Sequence, residues 1–153
     1  MSSPSGAVLE ALNRLLSTEL GAINQYMVHA EICENWGHDR LAEAFEARTA
    51  EEMKHVQRLV ARILALGGKP GLGSAVVGGA IGADVAEQIR NDLRTEEAVV
   101  AAYEQAIPLA TEDPESRELL TSILAEERRH VAWLRGELDR IETRGLERYL
   151  AEL

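Results

Sequence analysis

Four stretches of this chain repeat apolar residues at alternating intervals of three and four, and each repeat also includes a glutamate. This spacing is typical of the core-facing stripe of an amphipathic helix. A carboxylate on such a stripe is costly to bury unless a partner compensates its charge. The four glutamates in these positions, which require a common explanation, are Glu19, Glu52, Glu96 and Glu127.

The same periodicity predicts the helices and their order. Gly37 and the Gly67–Pro70 stretch are typical of helix ends, and Asp113 followed by Pro114 is typical of a helix start. We expect one domain over residues 1–153, with helices near 5–35, 39–66, 83–110, 114–143 and 146–152.

The connection between the second and third helices is unusually long. From Gly67 to Gly82 the chain contains seven glycines and one proline without helical periodicity. About 15 extended residues reach as far as a helix of about 28 residues is long, roughly 42 Å. The predicted fold is therefore an all-α four-helix bundle with one long crossover connection and a short fifth helix at the C-terminus.

Composition and charge exclude several classes of protein. A chain of 153 residues with 46% apolar residues can bury a core, which argues against intrinsic disorder. A net charge of −10 disfavours a nucleic-acid partner. No apolar run is long enough for a membrane span, and the start MSSPSGAV lacks the features of a secretion signal, so we expect a cytoplasmic protein. Cys33 is the only cysteine, which excludes an intrachain disulfide and a cysteine-based zinc site.

Two of the four glutamates begin a Glu-x-x-His motif, Glu52 to His55 and Glu127 to His130. An interval of three places both side chains on one face of a helix. A single motif of this kind is usually a solvent-exposed pair, but two on core-facing stripes indicate a shared site.

The other two glutamates are each followed seven residues later by a tyrosine, Glu19 by Tyr26 and Glu96 by Tyr103. The chain therefore resembles two copies of one helical hairpin, each with a Glu, a Tyr and a Glu-x-x-His. We interpret both tyrosines as core aromatics with a hydrogen-bonded hydroxyl group. The remaining candidates are interpreted as structural residues, and these are His29, Cys33, Trp36, His38 and Trp133.

The combined ligand set is the one that di-iron and di-manganese carboxylate bundles use: one glutamate from each of two helices and one Glu-x-x-His from each of the other two. Four carboxylates and two neutral imidazoles carry a charge of about −4, which two divalent ions neutralise. Oxygen and imidazole ligands suit iron or manganese, and the lack of thiolates disfavours structural zinc. Redox chemistry of iron is the expected use. The predicted ligands are Glu19, Glu52, His55, Glu96, Glu127 and His130.

Three blocks of the sequence strongly resemble the bacterioferritins, the haem-containing bacterial branch of the ferritins: LNRLLSTELGAINQYMVHAEICENWG, EEMKHVQRLVARIL and EERRHVAWLRGELDRIETRGLERYL. The resemblance implies a ferritin-like fold and a hollow shell of about 24 identical subunits. It also implies that each subunit oxidises Fe(II) at a di-iron ferroxidase centre and that Fe(III) mineral is stored inside the shell. By match to the family motif, all six predicted ligands are present, with Glu52 and Glu127 as bridging carboxylates.

The resemblance also implies haem b, bound at a two-fold interface by Met53 of both subunits, and a ferredoxin-type electron donor for iron release. Met53 lies roughly 130° around its helix from the midline of Glu52 and His55, so it is expected to face outward. Ala47 and Arg48 depart from the family pattern, which leaves the route of iron entry open. Glu46 replaces a residue near the haem pocket.

Three alternatives share part of this pattern. A soluble di-iron peroxidase or oxidase of the rubrerythrin type uses similar ligands, but those proteins usually add a cysteine-rich segment that one cysteine cannot supply. A mini-ferritin builds its metal site between subunits and would not need the internal duplication. An acidic helical scaffold with fortuitous glutamates is the non-enzymatic alternative.

Overall fold

The computed structural model describes residues 4–71 and 80–153. The described residues form four long helices, a short fifth helix and a short 3-10 turn: α1 Pro4–Asn35, α2 Asp39–Ala65, α3 Val85–Ala106, the turn Ile107–Ala110, α4 Pro114–Arg144 and α5 Leu146–Ala151. The predicted all-α bundle with a short C-terminal helix is therefore confirmed. None of the helices in these ranges is long and apolar enough to cross a membrane.

The third helix differs from the expected range of 83–110. It ends at Ala106, and residues Ile107–Ala110 continue as a 3-10 turn. Pro108 has no backbone N–H group to donate and its ring crowds the preceding turn, so the α-helical hydrogen-bond ladder stops there. At its start, the Asp84 side chain caps the helix by accepting a hydrogen bond from the backbone N–H of Glu87 at 2.8 Å.

Both ends of the long connection contact α1. At one end, Asn13 donates a hydrogen bond to the carbonyl of Lys69 at 3.3 Å and accepts one from the N–H of Gly71 at 2.7 Å. At the other end, the N–H of Gly82 donates to His29 Nε2 at 3.2 Å. Asn13 and His29 are about 24 Å apart along the helix axis at 1.5 Å per residue. The two described ends of the connection therefore contact α1 at points separated by about half the length of that helix. Residues 72–79 of the connection lie outside the described ranges.

The buried apolar residues form two clusters, one containing Leu12, Leu59 and Ile123 and the other containing Phe45, Ile89 and Leu134. Along each of the four long helices, the core-facing glutamate lies between residues of the first cluster and residues of the second. A layer of polar residues thus divides the hydrophobic core in two.

Helix α5 packs on its own chain. Tyr149 is buried there, and its hydroxyl group donates to Glu137 Oε2 at 2.6 Å. Leu146, Leu150 and Leu153 pack against the second core cluster. The short helix therefore already has a docking surface, and it does not by itself require a second subunit.

Candidate metal centre

The six predicted ligands converge in the polar layer between the two core clusters. Their exposed fractions are 0% for each of the four glutamates, 2% for His55 and 1% for His130. Their ligand atoms form two groups in which all atoms lie within 4.8 Å of one another. The first group is Glu19, Glu52, His55 and Glu127, and the second is Glu52, Glu96, Glu127 and His130. Because Glu52 and Glu127 belong to both groups, the arrangement has the form of two adjacent sites with two shared carboxylates.

Each histidine points its Nδ1 atom at several carboxylates. His55 Nδ1 lies 2.9 Å from Glu52 Oε2, 2.9 Å from Glu127 Oε1 and 3.7 Å from Glu19 Oε1. His130 Nδ1 is 2.8 Å from Glu52 Oε1, 3.1 Å from Glu127 Oε2 and 3.7 Å from Glu96 Oε1. A ring nitrogen carries at most one proton, so it cannot donate to every one of these oxygens.

The other ring nitrogen of each histidine has an acidic partner at the edge of the site. His55 Nε2 lies 2.5 Å from Glu126 Oε2, and His130 Nε2 lies 2.7 Å from Glu51 Oε2. A carboxylate that accepts a hydrogen bond from the Nε2–H group favours the histidine tautomer in which the lone pair of Nδ1 is free to bind a metal ion.

Sequence reasoning missed Glu51 and Glu126. The signal was present, because each directly precedes a shared glutamate, as Glu51-Glu52 and Glu126-Glu127, in both copies of the motif.

The two tyrosines hold the outer glutamates. Tyr26 donates to Glu96 Oε1 at 2.8 Å, and Tyr103 donates to Glu19 Oε1 at 2.6 Å. Burial and the charge of the neighbouring glutamate raise the pKa of both phenols well above the usual value, so both remain donors. Two buried carboxylate oxygens at this site have no hydrogen-bond partner: Glu19 Oε2 and Glu96 Oε2.

Without a metal ion the cluster holds protons. Burial raises the pKa of Glu19 to about 8, and burial together with the charges of Glu19 and Glu96 raises the pKa of Glu127. Although burial alone lowers an imidazole pKa, the neighbouring carboxylates raise the pKa of His55 to about 10 and that of His130 to about 9. The site therefore contains more negative charge than it can keep ionised without cations.

An opening between α2 and α4 leads to the site. A cavity of about 310 Å³ there is lined by Glu51, Lys54, His55, Arg58, Glu126 and Arg129. Arg48, which departs from the family pattern, donates to Glu51 Oε2 at 3.1 Å, and its guanidinium carbon lies 5.6 Å from the Trp133 ring centroid. It therefore pairs with a carboxylate at the rim of the opening.

The residues interpreted as structural do not belong to the six-residue cluster. His29 is buried, and its Nδ1 lies 2.8 Å from Asp92 Oδ1. Cys33 is buried and donates to Gln88 Oε1 at 3.1 Å. Trp36 is 41% exposed and makes an edge contact with His38. Met53 lies on the outer face of α2 and is 42% exposed, as the sequence predicts.

Comparisons with known proteins agree with this architecture. The profile of the Ferritin family, described as a ferritin-like domain, matches residues 9–144. A bacterioferritin of Mycobacterium avium is 36% identical over 147 residues, which cover 95% of this chain and 92% of that protein. A bacterioferritin of Brucella melitensis is 36% identical over 93% of this chain and 89% of its own length. A bacterial ferritin of Neisseria meningitidis is 37% identical over 94% of both chains. With this similarity over nearly its whole length and a buried Glu/His cluster at its centre, the chain belongs to the bacterioferritins of the ferritin-like family.

Proposed function

We propose that this protein stores iron, oxidising Fe(II) at the six-residue cluster and keeping the Fe(III) product as mineral inside a shell of its own copies. The observation that carries this proposal is the pair of overlapping four-residue groups that share Glu52 and Glu127. Relatives named bacterioferritin and bacterial ferritin support the storage role. A cytoplasmic location and a ferredoxin-type donor for iron release complete the proposal.

The donor atoms fit two divalent iron ions. Carboxylate oxygens and imidazole nitrogens suit Fe(II), and two such ions balance the charge of about −4 on the ionised cluster. Two buried carboxylate oxygens without a hydrogen-bond partner, Glu19 Oε2 and Glu96 Oε2, and two Nδ1 atoms that each face several carboxylates are the features expected of a site that binds cations.

The residues have distinct parts in the reaction. Glu52 and Glu127 would hold both Fe(II) ions, Glu19 and His55 would hold one of them, and Glu96 and His130 would hold the other. Each of two Fe(II) substrate ions gives up one electron. If dioxygen is the oxidant, one molecule takes up both electrons and two protons and leaves as hydrogen peroxide. If hydrogen peroxide is the oxidant, one molecule takes up both electrons and two protons and leaves as two water molecules. Protons released from the ligand residues when iron binds can supply this demand.

The Glu127→Ala variant tests the oxidation site. It removes a shared carboxylate from both groups, so fast oxidation of Fe(II) at a ratio of two ions per subunit should be abolished. Folding and assembly should persist, because the substitution leaves a small cavity and removes one carboxyl group from a crowded acidic cluster. Stopped-flow absorbance measures the rate of Fe(II) oxidation after the protein, loaded with Fe(II), is mixed with dioxygen or peroxide. Melting curves with and without iron measure how much the metal stabilises the fold.

The matched control is Glu137→Ala. Glu137 is also a buried glutamate of α4, but it binds Tyr149 rather than the cluster. This control should oxidise Fe(II) at the wild-type rate. Unchanged fast oxidation in Glu127→Ala, or melting curves that do not respond to iron, would show that the cluster is not the oxidation site.

Haem b at a two-fold interface is the second part of the proposal. Met53 fits an axial ligand because its thioether is a soft neutral donor and its side chain is partly exposed in the middle of α2. Met53 from each of two subunits would hold the haem iron.

The Met53→Leu variant, expressed with adequate haem supply, should lose the haem absorbance per dimer. The Met27→Leu variant, which changes another exposed methionine, should keep the wild-type haem absorbance. Full haem absorbance in Met53→Leu would refute this assignment.

A further inference from the structure

The two tyrosines form a reciprocal pair of contacts across the bundle. Tyr26 lies on α1 and donates to Glu96 of α3, whereas Tyr103 lies on α3 and donates to Glu19 of α1. Both phenols and both glutamates are at most 1% exposed. The duplication of the helical hairpin therefore includes the tyrosines that hydrogen-bond to the cluster as well as its candidate ligands.

Each phenol holds one oxygen of its glutamate and leaves the other free. Oε1 of Glu19 accepts from Tyr103 and Oε1 of Glu96 accepts from Tyr26, while Oε2 of each has no hydrogen-bond partner. The terminal torsion of a glutamate is broad, so packing alone defines the carboxylate plane poorly. A short hydrogen bond from a buried donor restricts that plane and determines which oxygen remains available.

An unheld Glu19 has a competing partner nearby. Its Oε1 lies 3.7 Å from His55 Nδ1, the nitrogen that faces the cluster. If Glu19 rotated to accept a hydrogen bond from this nitrogen, the hydrogen bond would occupy two of the atoms that are proposed to bind the same metal ion. Keeping the two apart therefore preserves both as ligands.

On the basis of the proposed function, we infer that Tyr103 is a positioning residue: it holds Glu19 away from His55 and so sets the metal affinity of the Glu19/His55 position, as Tyr26 does for the Glu96/His130 position. Each of the two metal positions thus has one glutamate that is held by a hydrogen bond from a buried phenol. Loss of either hydroxyl group should weaken one position and leave the other nearly unchanged.

Titration of the metal-free protein with Co(II), followed by its visible absorption, tests this inference without any oxidation step. The wild type should bind two Co(II) ions per subunit. Tyr103→Phe and Tyr26→Phe should each weaken one of the two binding steps by roughly 10- to 100-fold, the usual effect of removing a partner of a metal ligand. The spectrum of the weakened position should also change, because its carboxylate is no longer held.

The matched control is Tyr149→Phe. Tyr149 is also a buried tyrosine that donates to a buried glutamate at 2.6 Å, but this pair lies outside the cluster. The control loses the same kind of hydrogen bond and should bind both Co(II) ions with wild-type affinity and spectrum. An equal loss of affinity in Tyr149→Phe would assign the effect to general destabilisation and overturn the inference.

A double-mutant cycle with Glu19→Gln gives a second test that tolerates some loss of stability. If Tyr103 acts through Glu19, Tyr103→Phe should cause little further loss of affinity in the Glu19→Gln background. Additive losses, or wild-type affinity at both positions in Tyr103→Phe, would overturn the inference and leave the proposed function intact. Failure of the wild type to bind two Co(II) ions would instead refute the proposed function.

Discussion

At the scale of single residues, the same residue type has different chemistry depending on its neighbours. Glu19 is buried beside other carboxylates, and burial raises its pKa to about 8. Glu51, half exposed at the rim, has a lowered pKa because hydrogen bonding to His130 and the charge of Arg48 outweigh its partial burial. Burial raises the pKa of one glutamate, whereas a histidine and an arginine at the rim lower the pKa of the other.

The cluster should make the metal-free protein less stable as the pH rises. Glu19 ionises near 4.5 when unfolded and near 8 when folded, and the pKa values of His55 and His130 rise from 6.5 to about 10 and about 9. Between these values the folded state binds more protons than the unfolded state, so the free energy of unfolding decreases with pH. The melting temperature of chelator-treated protein should fall between about pH 6 and pH 9, and saturating Co(II) should suppress the decrease because the metal replaces the protons.

The control for this pH dependence is Glu19→Gln, which removes one of the titrating groups and should make the decrease shallower. Calorimetry at a series of pH values, with and without Co(II), measures both slopes. A metal-free melting temperature that is constant or rises over this range would contradict the prediction.

At the scale of elements, glycines at two positions have opposite steric surroundings. A Cβ atom at Gly82, where the crossover meets α3, would lie 2.3 Å from the backbone nitrogen of Gln88. At Gly136, inside α4 about two turns before its C-terminal end, a Cβ atom would meet nothing within 4 Å of it in the described structure. The crossover therefore depends on a glycine at its end, whereas the helix does not.

Two alanine variants test this contrast. Gly82→Ala should destabilise the subunit by about 1–3 kcal/mol, because backbone atoms must move apart. Gly136→Ala should stabilise it by about 0.5–1 kcal/mol, because alanine restricts the unfolded chain and favours helix. Thermal unfolding of both variants in metal-free buffer measures the difference, and similar melting temperatures would contradict the steric interpretation.

At the scale of the whole molecule, several large apolar side chains among the described residues are exposed to solvent in the single chain. Met27, Val28, Met53 and Leu64 of α1 and α2 are 38–58% exposed. A net charge of −10 opposes association between copies of the chain, and we expect exposed apolar side chains of this kind to contribute to contacts between subunits.

We expect the purified protein to form a hollow particle of about 24 subunits. Light scattering during size-exclusion chromatography measures the mass, and the number of subunits should be the same for metal-free protein and for protein with two Fe(II) ions per subunit if apolar contacts hold the subunits together. A monodisperse species of four or fewer subunits at micromolar concentration would refute the shell and favour a soluble di-iron oxidase.

The sequence by itself determined the four long helices and the inward direction of the six candidate ligands, because both follow from a local period of 3.6 residues. Pro108 predicts a bend near the end of the third helix, but the sequence could not determine that the α-helix ends at Ala106 and continues as a 3-10 turn, since helix ends depend on a balance of nearby hydrogen bonds. Only the tertiary structure decided that Tyr103 meets Glu19, 84 residues away, and that Glu51 and Glu126 contact the histidines of the opposite motif. These contacts join different helices, so they depend on how the helices pack and cannot be read from spacing along one helix.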